Sequence, residues 1–245
     1  MTVIRLSNVT KRYKMHHGRE LLAQKAARTV RSTREHFTAL NDISISVESG
    51  ERVAIVGGNG AGKSTLLSII AGVTTPTTGA VETSGRIGAL LELGTGFHDD
   101  LTGRENILVN ASLLGLSSKE LDGQFDSIVD FAEVGRFIDE PLRTYSSGMT
   151  ARLGFSVAIH VEPQVLVLDE VMGVGDAAFQ RKCSGKIDEL VDRGATLLFV
   201  SHELGSVESV CQRAIWISQG SIREDGEAAQ VIAAYDEAMT GGRKD

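Results

Sequence analysis

The sequence predicts an α/β fold around a largely parallel, buried sheet, and three observations carry that expectation. Val165–Leu168 is a wholly apolar run of strand length and Thr196–Val200 is nearly so, as expected for strands covered on both faces. The segments around them place Leu, Ile, Val and Phe at helical spacing. A third short β run, Arg52–Val56, passes into a glycine-rich loop that opens a helix. With 42% hydrophobic residues in 245, the chain has the material for a core, which excludes global disorder.

The elements follow in order. Val3–Val9 and Ile43–Val47 read as strands, with a basic insertion at about 14–36 between them. Leu22, Ala26 and Val30 in that insertion stand at i, i+4 and i+8, the spacing of a short helix. Lys63–Ala71, Thr102–Leu114, Ser118–Val134, Ser147–Val161 and Ala177–Val191 read as helices. The stretch Ala89–Glu140 is helix-rich and, with the helix after it, forms an expected helical lobe at about 89–160. Ala214–Ser218 and Ser221–Glu224 flank the turn pair Gln219-Gly220, so they form an antiparallel hairpin at the sheet edge. Glu227–Met239 reads as the last helix, and Thr240–Asp245 is expected to fray. Pro76, Pro141 and Pro163 all fall at element boundaries, and no linker or repeat divides residues 1–245, which read as a single domain.

Charge and cysteine usage exclude several classes. The chain carries 25 Lys+Arg against 32 Asp+Glu, a net −7, which argues against a general nucleic-acid binder. Cys183 and Cys211 form no CxxC and read as reduced thiols. No apolar run approaches the ~18–20 residues of a membrane span. The N-terminus lacks the apolar stretch of a signal peptide, so the expectation is a soluble chain or one held at a membrane by a partner. Thr10–Glu35 is locally +6, against −13 for the remainder. It is either a solvated charged face or a surface for anionic headgroups or a membrane partner.

Gly57-Gly58-Asn59-Gly60-Ala61-Gly62-Lys63-Ser64-Thr65 fits GxxxxGK[ST]. Glycines let the backbone N–H groups converge on phosphate oxygens, and the helix opening at Lys63 points its positive end at the same place. Lys63 is expected to reach the β- and γ-phosphates and the Ser64 hydroxyl to ligate Mg²⁺. Val165–Leu168 ends in Asp169-Glu170, acids at the carboxyl edge of a buried strand. Asp169 suits Mg²⁺, directly or through water, and Glu170 suits a base for the attacking water. Asp169 also has a plain alternative as a helix cap. Thr196–Val200 ends at Ser201-His202, where His202 is placed to sense a γ-phosphate.

Taken in order, these residues resemble the nucleotide-binding subunit of ATP-binding cassette (ABC) transporters. Tyr145-Ser146-Ser147-Gly148-Met149 looks like the family's signature loop, with Tyr, Ser and Met in place of three residues of LSGGQ. Val174-Gly175-Asp176 stands where the family has its D-loop, and His202 where it has a switch histidine. The family's Q-loop glutamine is missing from Leu90–His98, and Glu92 is the candidate for its place. Leu91–His98 followed by Leu101-Thr102-Gly103-Arg104-Glu105-Asn106 is similar to ATPase subunits of polysaccharide, O-antigen and teichoic-acid exporters (the Wzt type), as is the basic insertion after Tyr13.

That resemblance implies ATP and Mg²⁺ as cofactors. Adenine would stack on Tyr13, which matches the family's N-terminal aromatic best, with Phe37 just after the insertion as the contender. The triphosphate would sit in Gly57–Thr65, with Ser146, Ser147 and Gly148 reaching it from a second copy. Ser64, Asp169 and Glu92 would be the metal ligands. It implies a homodimer sharing two ATP sites and a separate membrane permease reached on the cytoplasmic face. A lipid-linked glycan would be the cargo, and no nucleic acid would take part. Some members carry a C-terminal carbohydrate-binding domain, and none is expected here. Other classes fit less well. Repair or translation ATPases of this superfamily usually carry tandem cassettes or coiled-coil insertions. An importer would keep the Q-loop glutamine, and a non-hydrolysing scaffold would not need Glu170.

Overall fold

The computed structural model describes residues 1–14, 36–90, 96–169, 175–200 and 204–241. Two sheets and a group of helices make up the fold. The first sheet is antiparallel, in the order β2-β1-β4, from β1 (Thr2–Lys14), β2 (His36–Glu48) and β4 (Thr78–Thr83). The second has six strands in the order β5-β6-β7-β3-β8-β9. These are β3 (Arg52–Val56), β5 (Ile87–Leu90), β6 (Val165–Asp169), β7 (Thr196–Val200), β8 (Arg213–Ser218) and β9 (Ser221–Glu227). All its pairings are parallel except β8 with β9.

The central strands are apolar because each side chain enters one of two cores. Val53 and Ile55, Val165 and Val167, Leu198 and Val200, and Ile215 and Ile217 join the core shared with the antiparallel sheet and α1 (Lys63–Ile70). Ala54 and Val56, Leu166 and Leu168, and Leu197 and Phe199 face the opposite core. That core is closed by α5 (Ala177–Asp192), α6 (Leu204–Val210) and α7 (Ala228–Gly241). Period-two alternation between two dry faces leaves no solvent side, so no polar register appears. Each large aliphatic buried this way contributes about 1.5–3 kcal/mol relative to exposure.

A third core fills the helical lobe of α2 (Gly103–Leu113), α3 (Ser118–Ala132) and α4 (Ser147–His160). Thr102 and Ser117 start α2 and α3 with capping boxes, closed by Glu105 and Glu120. The Ser117 hydroxyl, then Arg86, pulls the Glu120 carboxyl down to about 2. Arg86 sits just before β5 and bonds Glu120 at 2.7 Å, so the same carboxylate ties the lobe to the sheet.

Several sequence expectations need correction. The first two strands run to Lys14 and from His36, well past Val9 and Ile43, and Lys14 pairs with His36. The basic insertion is therefore the connection of a long antiparallel pair. Its expected helix lies outside the described residues. Ala89 and Leu90 belong to β5, not to the lobe, because they pair in parallel with Val167 and Leu168. The last helix runs to Gly241 and takes in Thr240, whose hydroxyl donates to the Asp236 carbonyl at 2.7 Å, while the rest of the tail expected to fray, 242–245, lies outside the described residues. Trp216 is half-buried on the second core, edge-on to Tyr235 with centroids 5.7 Å apart.

Candidate nucleotide-binding site

The sheet register brings the chemistry to one edge. Ile55 on β3 pairs with Val200 on β7, and Val200 with Asp169 on β6. Leu90 on β5 pairs with Leu168 one step back. In a parallel sheet these level positions send the following segments out of the same carboxyl edge, where ligands bind. The glycine loop follows Val56, Glu170 follows Asp169, and His202 follows Val200 by two residues. Glu170, His202 and Glu92 themselves lie outside the described residues.

The loop itself is built for close approach. Gly57, Gly60 and Gly62 adopt positive φ of 153°, 75° and 109°. A Cβ on Gly57 would lie 2.2 Å from the Ile217 carbonyl oxygen, and one on Gly62 would lie 2.6 Å from that of Ala39. The Lys63 side chain is buried in the loop, where Nζ donates to the Gly57 and Gly58 carbonyls at 2.8 and 3.1 Å. Ser64 is exposed on the first turn of α1, with Thr65 half-buried beside it. Side chains cap α2, α3, α4 and α5, whereas Gly62 brings none to α1. A cradle that excludes side chains, a buried ammonium and an uncapped helix start together fit a polyphosphate.

The β8–β9 turn walls the cradle, a role that sequence reasoning missed. Gln219 and Gly220 take φ of 49° and 76°, as a two-residue hairpin turn requires. Gly220 N donates to the Ala61 carbonyl at 2.9 Å, and Asn41 N donates to that of Gly220 at 2.8 Å. Gly57→Ala is therefore expected to destabilise the chain by about 1–3 kcal/mol, because its Cβ meets backbone that cannot turn aside. Urea unfolding and ATP titration of the same sample check it, and both should worsen.

Tyr13 and Phe37, the two aromatic candidates, face each other as a register pair on β1 and β2. Both are exposed, and Lys11 Nζ lies 5.0 Å from the Tyr13 ring centroid. Phe37 stands two residues along β2 from Ala39, the residue that meets Gly62, a step of about 7 Å.

Ser146, Ser147 and Gly148 stand at the start of α4. The Ser146 hydroxyl accepts from Met149 N at 3.2 Å and caps that helix. They are carried by the lobe, which packs chiefly on itself and β5, while α1 packs on β2, β4 and β6. Among the described residues, the two motifs are thus carried by elements with different main packing partners.

Arg152, one turn further along α4, is a link that the motif reading passed over. It donates to Glu133 at 2.8 Å and to Asp176 at 3.0 Å, and lies over the Phe179 ring at 4.8 Å. Asp176 caps α5, and the Phe179 N–H, aided by Arg152, holds its carboxyl below the usual range. Cys183 and Cys211 are buried free thiols, pushed up to about 12 by burial, so neither is a nucleophile at neutral pH.

Residues 40–173 match the ABC transporter family. The chain belongs to that family. It is 50% identical over 242 residues to the O-antigen export system ATP-binding protein RfbB of Klebsiella pneumoniae, covering 97% of this chain and 98% of that one. It is 42% identical over 234 residues to the teichoic acids export ATP-binding protein TagH of Levilactobacillus brevis, covering 96% of this chain and 64% of that one. The fold is shared with the ATP-binding cassette MJ0796, solved as a dimer in a post-hydrolysis state with ADP and phosphate. That match has a TM-score of 0.71 at 23% identity and covers 92% of this chain and 98% of that one. The α/β cassette expected from the sequence is the fold observed.

Proposed function

We propose that this chain is the ATP-binding, ATP-hydrolysing subunit that energises export of a lipid-linked polysaccharide through a separate membrane permease. The observation that carries the proposal is the 50% identity to an O-antigen export subunit along almost the full length of both chains. Among the described residues no helix is long and apolar enough to cross a membrane, so a separate permease subunit is part of the proposal.

In this reading Gly57–Thr65 wraps the triphosphate and Lys63 neutralises its β- and γ-oxygens. Magnesium, held by Ser64 and Asp169 with Glu92 as a further candidate, supplies charge neutralisation on the phosphates. Glu170 takes the proton of the attacking water, and His202 reads the γ-phosphate. The Tyr13–Phe37 pair offers the adenine a stacking face. Ser146, Ser147 and Gly148 complete the site of a second copy with the N-terminus of α4. That contact lasts only while the γ-phosphate does, so ATP closes the pair and hydrolysis opens it.

The permease has a suitable seat. A groove of about 440 Å³ runs between the sheet and the lobe, lined by Val73, Ile87, Phe97, Leu113 and Val157 among others. Val73 and Leu113 on its rim are 66% and 74% exposed, large apolar groups that a partner would cover. Through this contact the chain is held at the cytoplasmic face of the membrane. The test is co-purification of the chain with a membrane permease subunit from cells that express it, followed by ATPase assays with lipid-linked glycans. Stable association and glycan-stimulated turnover are expected. A chain that hydrolyses ATP but binds no permease would refute the export role.

A further inference from the structure

We propose that Tyr145 is a positioning residue for the Ser146–Gly148 segment, and that Gly103 keeps the space its hydroxyl occupies. The proposal rests on the dimeric ATPase reading above and adds to it a device built from two distant loci. Tyr145 stands where the family's usual signature has leucine. Its hydroxyl donates to the Phe137 carbonyl at 2.7 Å, and its ring meets that of Phe137 edge-on with centroids 6.4 Å apart. A leucine there could make neither contact. A Cβ at Gly103 would lie 2.3 Å from the Tyr145 hydroxyl oxygen and 3.1 Å from the Ile138 carbonyl oxygen. Gly103 opens α2, where alanine would otherwise improve the helix, so the glycine there serves packing.

The surrounding backbone shows what the clamp secures. Leu142 N donates to the Leu101 carbonyl at 2.9 Å, and Arg143 N to that of Asp99 at 3.0 Å. Gly103 N and Arg104 N donate to the Glu140 and Ile138 carbonyls at 3.2 and 2.9 Å. Residues 99–104 therefore form a rail along which 137–143 is laid. Tyr145 is its last fixed point before Ser146, the cap of α4. The direction in which that helix presents Ser146–Gly148 to a second copy's nucleotide is set at this point.

The experiment uses the full-length chain carrying Glu170→Gln, with saturating Mg-ATP, and reads the dimerisation constant by sedimentation. Adding Tyr145→Phe removes one hydrogen bond and is expected to weaken dimerisation about fivefold. Affinity for a fluorescent ATP analogue, measured below the dimerising concentration, should stay unchanged, because the cradle is on another element. Gly103→Ala should weaken the dimer comparably, and the double variant should be no weaker than Tyr145→Phe alone. Equal dimerisation by parent and Tyr145→Phe, even with a lowered unfolding midpoint, would overturn the proposal, as would losses that multiply in the double variant. Should Gly103→Ala not fold, Tyr145→Phe alone decides. A parent that stays monomeric would remove the dimeric reading and this proposal together, whereas a dimeric parent matched by Tyr145→Phe removes only this one.

Discussion

Lys63→Ala is expected to lower affinity for ATP by about ten- to a hundredfold, because hydrogen bonds to charged groups are worth about 1.5–3 kcal/mol and each 1.4 kcal/mol is a factor of ten. The ammonium is already delivered to the centre of the loop by α1 and is held there by two loop carbonyls. Its charge is thus in place before any ligand arrives, and little ordering is left for binding to supply. Removing it leaves the cradle's N–H groups facing a triphosphate with one positive charge fewer. Lys63→Arg keeps the charge but brings a planar fork to a loop that seats a point charge, so it should recover affinity only in part. Isothermal titration with ATP, with and without magnesium, measures all three proteins. Wild-type affinity in Lys63→Ala would place the nucleotide elsewhere.

Glu170→Gln is expected to cut turnover by about a hundred- to ten-thousandfold while leaving ATP binding intact. The amide keeps the size of the side chain but cannot take a proton from water at neutral pH. The residue directly follows Asp169, whose pairing with Val200 fixes the end of β6 at the sheet's carboxyl edge. Phosphate release from the full-length chain with its permease checks the loss. If Glu170→Gln also abolished ATP binding, the residue would be part of the cradle and not the base.

What could be read in advance follows physical lines. The glycine loop was legible because positive φ and close approach admit little but glycine, and Gly57, Gly60 and Gly62 occupy those conformations. The central strands were legible because two dry faces demand unbroken apolar runs. β4 was not, since Thr78–Thr83 buries almost nothing and is held by its backbone pairing with β1. β5 is four residues long, and its register depends on β6, far along the chain. The sequence favours Tyr13 as the better family match and keeps Phe37 as a contender only because the insertion blurs the correspondence. The register makes them neighbours, so the choice is one within a single aromatic patch. Gly220 was visible only as a turn residue, because its contact with Ala61 exists only after the sheets stack. The same holds for Gly103 and Tyr145. Each looked ordinary in its own motif, and the 2.3 Å approach that couples them is a property of the folded lobe.

The most direct test of the nucleotide-bridged pair is sedimentation velocity of the full-length Glu170→Gln chain with ATP, with and without magnesium. The account predicts a dimer that forms with Mg-ATP and is lost with ADP or on adding Lys63→Ala. A chain that remains a monomer in millimolar Mg-ATP, or pairs equally well without nucleotide, would contradict it.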